Sequence, residues 1–487
     1  MTEHENLAPL RHDSSEPLYQ QVRRRIESIL VARSTAARPL PSSRYLAAAL
    51  GVSRNTVNVA YDELIALGLV EARPRSGLYP SAVAREFAAR AERTPDNGPG
   101  TLDWTRRARR RASPIDAPRV HPDWTRYPYP FLPGQPELKA FPARGWARAV
   151  AEALHGPHLA HSIRDSSDRD DPLLVEMIRS EILVPRGVVT EADTVLVTHG
   201  AQEALSLVAD VMFGPGVTVA VENPGYRDAA HIVAESGATL DLVPVDREGA
   251  RVPRSARFDY LYLTPSHQHP TSVTLSYLRR LDILRRAQRE DFVVIEDDYD
   301  SEMRFRGRPT PSLKSLDTEG RVIYVGTFSK FVAPGIRLGF VVAPPELIAL
   351  LRRRRRYANR HPSGHTQRAL ALFIQSGDYH RALRRHRNHL LDKWGVLTES
   401  LAAHLPWPLE TPTAGGTSLW VTGDAAFDGT AVAHAAEKRG VLIDPGSAFH
   451  LGDDGPRNHI RLGFNAIPLA AIRPGVALLG EVIRDLE

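Results

Sequence analysis

Apolar positions near the start of the chain recur every three to four residues in three short stretches. The first stretch follows Pro17 over residues 18–30, and the second follows the helix-start signal 41–43. The tripeptide 51–53 then supplies a glycine stop and a serine N-cap. In the third stretch we predict a buried face made of Val57, Ala60, Tyr61, Leu64 and Ile65. The pattern predicts three helices, the last two joined by a tight turn.

Polar side chains open the third of these helices. Its exposed first residues are Ser53, Arg54, Asn55 and Thr56. Residues 69–80 then have the pattern of two short strands around a basic turn at 73–77. Two helices joined by a glycine turn, the second opening with polar groups, are typical of a helix that enters the DNA major groove. A small protein-interaction domain with solvated arginines is the alternative.

Short apolar runs alternate with helical patterns over the rest of the chain. The runs predict strands at residues 195–198, 217–221, 260–263, 292–295, 322–325 and 340–343. Such alternation predicts an α/β fold with a mostly parallel sheet covered by helices. Ligands of these sheets bind beyond the carboxyl ends of the strands, so the residues that follow each strand are the candidates for function.

The length of the chain, 487 residues, is too great for one ordinary core and predicts at least two domains. We predict a DNA-binding head over residues 1–81, a linker rich in proline and arginine over 82–125, and an enzyme-like domain with a smaller C-terminal subdomain over 126–487. The arginines of 106–111 either contact the DNA backbone or belong to a solvated, self-repelling spacer. The arginine run 352–356 either contacts DNA or forms a solvated helix face.

Composition excludes several classes of site. The chain has no cysteine, which excludes disulfides, zinc–thiolate sites and thiol catalysis. Its formal net charge of +5 is a basic excess that permits contact with nucleic acid. No run approaches the roughly 18 apolar residues of a membrane span, and the start of the chain has no apolar signal segment. We therefore expect a cytoplasmic protein, and we predict no metal centre.

Chemistry-bearing residues follow successive predicted strands. Gly200-Ala201-Gln202 opens a helix whose first N–H groups can bind a phosphate, and Tyr226 follows a turn from which its ring can stack on a flat heteroaromatic ring. A carboxylate of the acidic run 296–300 can keep the pyridine nitrogen of pyridoxal 5'-phosphate (PLP) protonated. Alternatively, the run binds Mg²⁺ in a nucleotide-binding protein, but the chain contains no G-x-x-x-x-G-K-[ST] loop.

Lys330 follows the fifth predicted strand. It is one of only five lysines in a chain that otherwise carries its positive charge on arginine. A Schiff base to an aldehyde needs a primary amine, which a guanidinium does not supply. Thr327, Ser329 and Arg337 place hydroxyls and a guanidinium nearby, and these groups can hold a phosphate dianion. Lys330 is therefore the candidate anchor of PLP.

These motifs resemble two known families. The head resembles the GntR-type winged-helix domain at residues 18–21, 40–44, 53–57 and 60–61 and at Gly77. The large domain resembles the fold-type I aminotransferases at residues 200–202, 224–226, 264–268, 296–302 and 326–330. Joined in this order, the two parts resemble the MocR/GabR group of transcription factors over nearly the whole chain.

The resemblance implies that double-stranded operator DNA is bound by the head. Arg44 and the residues Ser53, Arg54, Asn55 and Thr56 would contact DNA. The predicted hairpin over residues 69–80, which we call the wing, adds Arg75 and Gly77, because its basic turn is suited to phosphates or to the minor groove.

The resemblance also implies a role for each matching residue of the large domain. Lys330 would form the internal aldimine with PLP, Asp297 would pair with the ring nitrogen, Tyr299 would bond the phenolic oxygen and Tyr226 would stack on the ring. The phosphate would be held by Gly200, Ala201, Gln202, Thr327, Ser329 and Arg337. Near the C-terminus, Arg461 would bind the carboxylate of an amino acid by bidentate pairing.

The chain departs from the aminotransferases at residues 269–272, where His-Pro-Thr-Ser replaces Asn-Pro-Thr-Gly and the usual asparagine contact is absent. We therefore predict a PLP-dependent DNA-binding regulator that senses PLP or a small amine through Lys330. The resemblance implies a homodimer in which each head lies against the partner's large domain. One alternative is an active aminotransferase with a regulatory head. The other is a helix-turn-helix repressor whose large domain is only a dimerisation scaffold and binds no cofactor.

Overall fold

The computed structural model describes residues 10, 16–32, 39–74, 76–91, 104–107, 115, 121–307, 310–408, 415–452 and 455–486. The chain divides into two compact units, residues 1–111 and 112–487. Within the described ranges, no helix is long and apolar enough to cross a bilayer.

The first unit consists of helices and one two-stranded hairpin. Its helices are α1 (Leu18–Ala32), α2 (Ser43–Leu50), α3 (Arg54–Ala66), α4 (Ala82–Ala91) and α5 (Trp104–Arg107). Its strands are β1 (Val70–Arg73) and β2 (Gly77–Pro80). The strands pair antiparallel, with Val70 opposite Pro80. The three predicted helices and the two strands of the wing are confirmed.

One glycine and one serine cap define the turn between α2 and α3. Gly51 ends α2 with a φ of 67°, a left-handed conformation that glycine adopts without strain. Ser53 begins α3 by accepting a hydrogen bond from the Thr56 N–H. The predicted inward residues of α3 are buried with the exception of Ile65, which is 38% exposed. Ile65 lies about 100° around the helix from Leu64, which places it outside the buried stripe.

Helix α4 occupies the first part of the predicted linker. The Ser81 hydroxyl accepts a hydrogen bond from the Ala84 N–H, Ala84 is buried, and the helix packs against α1. Residues 82–91 therefore form a helix of the first unit. Of the arginine cluster at 106–111, only positions 106 and 107 belong to the described residues, at the end of α5.

The second unit is built around an eight-stranded sheet. The strands of the unit are β3 (Tyr129–Pro130), β4 (Val195–Thr198), β5 (Thr218–Asn223), β6 (Thr239–Asp246), β7 (Gly249–Ala250), β8 (Tyr260–Leu263), β9 (Val293–Asp297), β10 (Val322–Thr327), β11 (Gly339–Val342), β12 (Ser418–Thr422), β13 (Val441–Leu442), β14 (Asp444–Pro445) and β15 (His459–Gly463). Its helices are α6 (Ala143–Ala153), α7 (Leu159–Ile163), α8 (Pro172–Met177), α9 (Ala201–Met212), α10 (Arg227–Glu235), α11 (Tyr277–Glu290), α12 (Leu313–Leu316), α13 (Pro345–Ala358), α14 (Gly364–Gln375), α15 (Asp378–His404), α16 (Gly429–Lys438) and α17 (Leu469–Leu486).

The large sheet is mostly parallel, as predicted. Its strand order is β4-β11-β10-β9-β8-β5-β6-β7, and every strand except β11 and β7 runs in the same direction. The six predicted strands are β4, β5, β8, β9, β10 and β11. Successive buried residues of β4 alternate between two cores, because Leu196 packs with α9, α10 and α13 while Val195 and Val197 pack with α8 and α14. Helices therefore cover the sheet on both faces.

A second, smaller sheet lies near the C-terminus. Strands β12, β15 and β14 form it in that order, all antiparallel, and α16 and α17 pack nearby. The register of this sheet puts Asp444 of β14 directly opposite Arg461 of β15. Cross-strand pairs of this kind lie within side-chain contact.

Candidate cofactor and effector site

The carboxyl ends of the parallel strands β4, β5, β8, β9 and β10 lie at one edge of the large sheet. The residues that end these strands or follow them are Gly200, Tyr226, His269, Asp297 and Lys330. This common edge is where the fold places a ligand. The structure therefore brings the predicted residues Gly200, Tyr226, Asp297 and Lys330 together at this edge, along with His269, although they are spread over more than a hundred positions.

Lys330 lies in the turn after β10 with its amine in the interior of the site. Its Nζ atom is 5.6 Å from the centre of the Tyr299 ring. A Cβ atom at Gly134 would come within 3.4 Å of Nζ, so a glycine there leaves room above the amine. Burial lowers the pKa of Lys330, and nearby Asp300 opposes that effect. A lysine with a lowered pKa has more of the neutral amine that attacks an aldehyde.

Asp297 ends β9 and is buried. The Tyr262 hydroxyl donates a 2.7 Å hydrogen bond to its Oδ2 atom, whereas Oδ1 finds no hydrogen-bond partner among the described residues. Burial raises the pKa of Asp297 to about 7, and the bond from Tyr262 opposes the rise. A buried carboxylate oxygen without a donor is destabilising, and a protonated ring nitrogen is a donor that would satisfy it.

The other carboxylates of the acidic run have separate partners. Glu296 accepts 2.8 Å bonds from the backbone N–H groups at the start of α12. Asp298 pairs with Arg186 at 2.8 Å, and Asp300 lies 2.9 Å from His267 Nδ1. In the described portion of the chain, no three acidic or histidine side chains form a group that could hold a metal. The divergence of these carboxylates speaks against the Mg²⁺ alternative.

The predicted phosphate-binding residues lie where α9 begins. Gly200 precedes the first turn with a φ of 83°, and a Cβ atom there would be 3.3 Å from Arg337 Nη2. Arg337 donates from Nη2 to the His199 carbonyl at 2.9 Å. Ser329 is buried, and its Oγ atom likewise lacks a partner in the part of the chain that the structure describes. Thr327 is buried next to it and accepts a bond from the Ser329 N–H at 3.2 Å. A helix N-terminus, a guanidinium and a spare hydroxyl suit a phosphate.

Tyr226 connects this region to the middle of the site. Its hydroxyl lies 2.9 Å from both Gln202 Oε1 and Asp228 Oδ2 and can donate to one of them. Burial, with a further contribution from Asp228, raises the pKa of Tyr226, so the side chain remains a phenol. Its ring meets the ring of His269 edge-on, with the centroids 5.4 Å apart.

Arg461 is almost completely buried and is engaged by three side chains. Its Nε and Nη2 atoms donate to Asp444 Oδ2 at 3.1 and 2.8 Å. Its Nη1 atom donates to His269 Nε2 at 2.8 Å, and the Phe449 ring centre is 4.2 Å from the guanidinium carbon. The predicted carboxylate-binding residue is therefore part of the site, where its charge helps to lower the pKa of Lys330. Asp444 escaped the sequence-based prediction because only the register of β14 and β15 brings it to Arg461.

His269 occupies the centre of the site, where the sequence indicated only the loss of an asparagine. Its ring lies among Tyr226, Tyr299 and Phe449, with centroid distances of 5.4, 6.2 and 5.4 Å. Burial, and then the charge of Arg461, lower the pKa of His269 far below its ordinary value. The ring is therefore neutral, which is consistent with Nε2 as an acceptor.

The predicted DNA-contacting residues lie at the start of α3 and beside it. Arg44, Ser53, Arg54 and Asn55 are exposed, and Thr56 is half-buried. The Ser53 and Thr56 hydroxyls are 2.8 Å apart, which ties them to the helix cap, whereas Arg54 donates from Nε to Ser43 Oγ at 3.2 Å. Gly77 is exposed at the start of β2, and Arg75 lies outside the described residues.

The arginine run 352–356 of α13 forms a solvated helix face only in part, because Arg353, Arg354 and Arg356 are exposed whereas Arg355 is buried. Arg352 and Arg355 both pair with Asp170 at 2.7 Å, and Arg355 is fully buried. Arg354 pairs with Asp210 at 2.7 Å and Arg356 with Asp168 at 2.5 Å. Most of the run therefore attaches α13 to the rest of its own unit.

Comparisons with known proteins identify a family for each of the two units. Residues 177–476 match the family "Aminotransferase class I and II", and residues 18–79 match "Bacterial regulatory proteins, gntR family". The chain is 39% identical to the HTH-type transcriptional regulator TauR of Rhodobacter capsulatus, over 94% of each chain. It is 34% identical to the probable rhizopine catabolism regulatory protein MocR of Rhizobium meliloti, over 98% of this chain and 96% of that one.

Among solved structures, this chain is similar to LysN, the alpha-aminoadipate aminotransferase of Thermus thermophilus, in complex with N-(5'-phosphopyridoxyl)-L-leucine. The TM-score is 0.70 at 27% identity, over 79% of this chain and 99% of that one. The aminotransferase match covers more than half of the chain, and the regulators match nearly all of it. The chain therefore belongs to the aminotransferase class I and II family and, through its gntR-type head, to the MocR/GabR group of DNA-binding transcriptional regulators.

Proposed function

We propose that this regulator binds PLP at the edge of the large sheet and uses it to sense a small amine. The observation that carries the proposal is the position of Asp297: a buried carboxylate near Lys330, with one oxygen that has no donor among the described residues. The protonated ring nitrogen of PLP supplies the missing donor. Lys330 supplies the amine, and Tyr299 supplies the phenol for the ring oxygen.

The other end of the proposed site, where α9 begins, is suited to the phosphate of PLP. Gly200, Ala201 and Gln202 offer the N-terminus of α9, while Arg337, Ser329 and Thr327 offer a guanidinium and two hydroxyls. These groups complement a dianion at one end, as Asp297 complements a cation at the other. When bound, PLP supplies an aldehyde that can exchange between the lysine amine and the amine of an effector.

We propose further that exchange of this amine changes DNA binding by the head. A ligand shifts an equilibrium only if it binds two states with different affinity. A change in the contacts of the Lys330 amine would be the local difference between the two states. We propose that the regulator acts as a homodimer in which each head lies against the partner's large domain. The residues of the head that read or position DNA are Arg44, Ser53, Arg54, Asn55, Thr56, Arg75 and Gly77.

The experiment is a DNA-binding titration with the intergenic region beside the protein's own gene. Wild type and Lys330→Ala are compared with and without PLP, and Arg54→Ala serves as the variant with an impaired head. We expect PLP, or PLP with an amine, to change the affinity of wild type and to leave Lys330→Ala unaffected. Arg54→Ala should bind more weakly in every state, by roughly 1–3 kcal/mol if it reads a guanine. Equal PLP responses from wild type and Lys330→Ala would contradict the proposal.

An active aminotransferase is the second candidate, and the favouring observation is that Lys330, Asp297 and Arg461 lie in one site. Against efficient turnover stand His269 at the asparagine position and the bonds that already engage Arg461. The holoprotein is incubated with a panel of amino acids and a keto acid. We expect at most a single turnover, and sustained product formation would establish the enzyme instead.

A further inference from the structure

The guanidinium of Arg461 is the predicted partner of an effector's acid group, and it already has a counter-ion in Asp444. A guanidinium has five N–H donors. Among the described side chains, Asp444 receives two of them on a single oxygen and His269 receives a third. Phe449 covers one face of the group. One N–H on each of the two terminal nitrogens therefore remains for a ligand.

The two engaged partners differ in what they do to an incoming anion. Asp444 is a charged partner whose Oδ2 atom lies 2.8 Å from Arg461 Nη2, and its side chain is only 18% exposed. Its negative charge lies beside the place where an effector carboxylate would bind and cancels most of the attraction of Arg461. His269 is a neutral acceptor, because its buried ring has a pKa far below the ordinary value. The charge of Asp444 therefore has the larger effect on affinity.

We propose that Asp444 is an internal counter-ion that determines specificity at the effector site. It makes the site recognise a primary amine with little regard to whether that amine also carries an acid group. The inference rests on the proposed function, since it assumes that Lys330 and PLP receive the amine. The effector class is then small primary amines in general, of which amino acids are one part.

The arrangement also explains why the site does not bind anions in general although it contains a buried arginine. A buried guanidinium without a counter-ion is destabilising, so such a site would take up any available carboxylate. With Asp444 in place the charge is compensated in the absence of an effector. An effector carboxylate must then bind as a second anion on the same guanidinium, where repulsion by Asp444 weakens it.

The test compares β-alanine with propylamine, two amines of similar length of which only the first has an acid group. Affinities are measured from the visible absorbance of PLP-loaded wild type, Asp444→Asn and Asp444→Glu. We expect wild type to bind the two amines within about fivefold of one another. Asp444→Asn should favour β-alanine over propylamine by roughly tenfold more than wild type does, because Arg461 loses its counter-ion. Asp444→Glu, which keeps the charge, should retain the wild-type ratio.

A probe without an amine separates this inference from the proposed function. Propanoate binding to each PLP-treated protein is measured by calorimetry, and melting temperatures verify that the variants are folded. Tighter propanoate binding by Asp444→Asn, with Asp444→Glu like wild type, supports the inference even if neither amine reacts with the cofactor. An unchanged or reduced preference for the carboxylate in Asp444→Asn would show that Asp444 only positions Arg461, and would overturn it.

Discussion

The principal charged groups at the two ends of the site, Asp297 and Arg461, differ in how closely they are paired with other side chains. At the cofactor end, Asp297 Oδ1 and Ser329 Oγ are buried and lack partners among the residues that the structure describes. At the effector end, Arg461 donates three hydrogen bonds to Asp444 and His269. A buried polar group without a partner is stabilised when a ligand forms a hydrogen bond to it. A group that already has partners requires the ligand to compete with them. The comparison supports the proposed function, in which the site retains PLP and binds its effector weakly and reversibly.

The largest expected effect is on the cofactor end, from Lys330→Ala. Without the primary amine the protein cannot hold PLP covalently, so the visible band of the PLP-treated protein should be absent. Lys438→Ala, at an exposed lysine at the end of α16, is the matched control and should keep the band. Absorbance after gel filtration checks both. A band of normal intensity in Lys330→Ala would place the anchor elsewhere.

Asp297→Asn should have the next largest effect. It removes the charge that pairs with the ring nitrogen while preserving the shape of the side chain. We expect PLP affinity to fall by about 3 kcal/mol, roughly 100-fold, in equilibrium titrations. The control is Asp291→Asn, at the exposed residue that precedes β9 at the opposite end of the strand. Equal affinities for the two variants would mean that Asp297 does not face the ring.

The same substitution should stabilise the cofactor-free protein at alkaline pH. The pKa of Asp297 is about 7 in the folded chain, above the ordinary value of 3.8. Between these two pKa values the folded state binds a proton that the unfolded state has already lost, so stability from this group declines as pH rises from about 4 to about 7 and is constant at higher pH. Denaturant titrations should show that the advantage of Asp297→Asn over wild type grows by about 2–3 kcal/mol from pH 5 to pH 8.

An advantage that shrinks over this pH range would contradict the assigned shift. Burial also raises the pKa of Glu302 to about 7, and this group is unchanged between the two proteins. Burial raises the pKa of Glu222 to about 7 with a smaller contribution from Asp297, and loss of that contribution in Asp297→Asn changes the difference with the same sign.

Arg337→Ala should have the smallest effect of the set, since this arginine is exposed and already bonds to a carbonyl. We expect PLP binding to weaken by about tenfold, because a charge-assisted bond to the phosphate is lost. Pyridoxal, which has no phosphate, should bind wild type and variant alike. Comparable losses for both compounds would indicate a damaged fold rather than a missing phosphate contact.

Sequence patterns were sufficient for the architecture and for the residues at the edge of the large sheet. The six predicted strands are consecutive in the sheet from β4 to β5, and they are short, apolar and followed by turns, so their local signal is strong. Strand β6 was missed because it is only partly buried and contains Pro244, which weakens both the apolar pattern and the strand propensity. Local patterns thus recover the elements that are buried on both faces.

Contacts between distant positions could not be predicted in the same way. Asp444 meets Arg461 only through strand register, and Asp170 meets Arg355 across 185 positions. The sequence around Arg355 indicates an exposed basic helix, yet the side chain is fully buried because two parts of the fold bring a carboxylate to it. Electrostatic partners are properties of the tertiary structure, so a charge run alone does not distinguish a DNA-binding surface from a set of internal ion pairs.

The most direct test of the account is a crystal structure of the protein soaked with PLP. We predict the cofactor joined to Lys330, its ring nitrogen within hydrogen-bonding distance of Asp297 Oδ1, its phosphate at Gly200 and Arg337, and the contact between Arg461 and Asp444 unchanged. A cofactor bound with its ring nitrogen away from Asp297, or a sheet edge that remains empty after soaking, would contradict it.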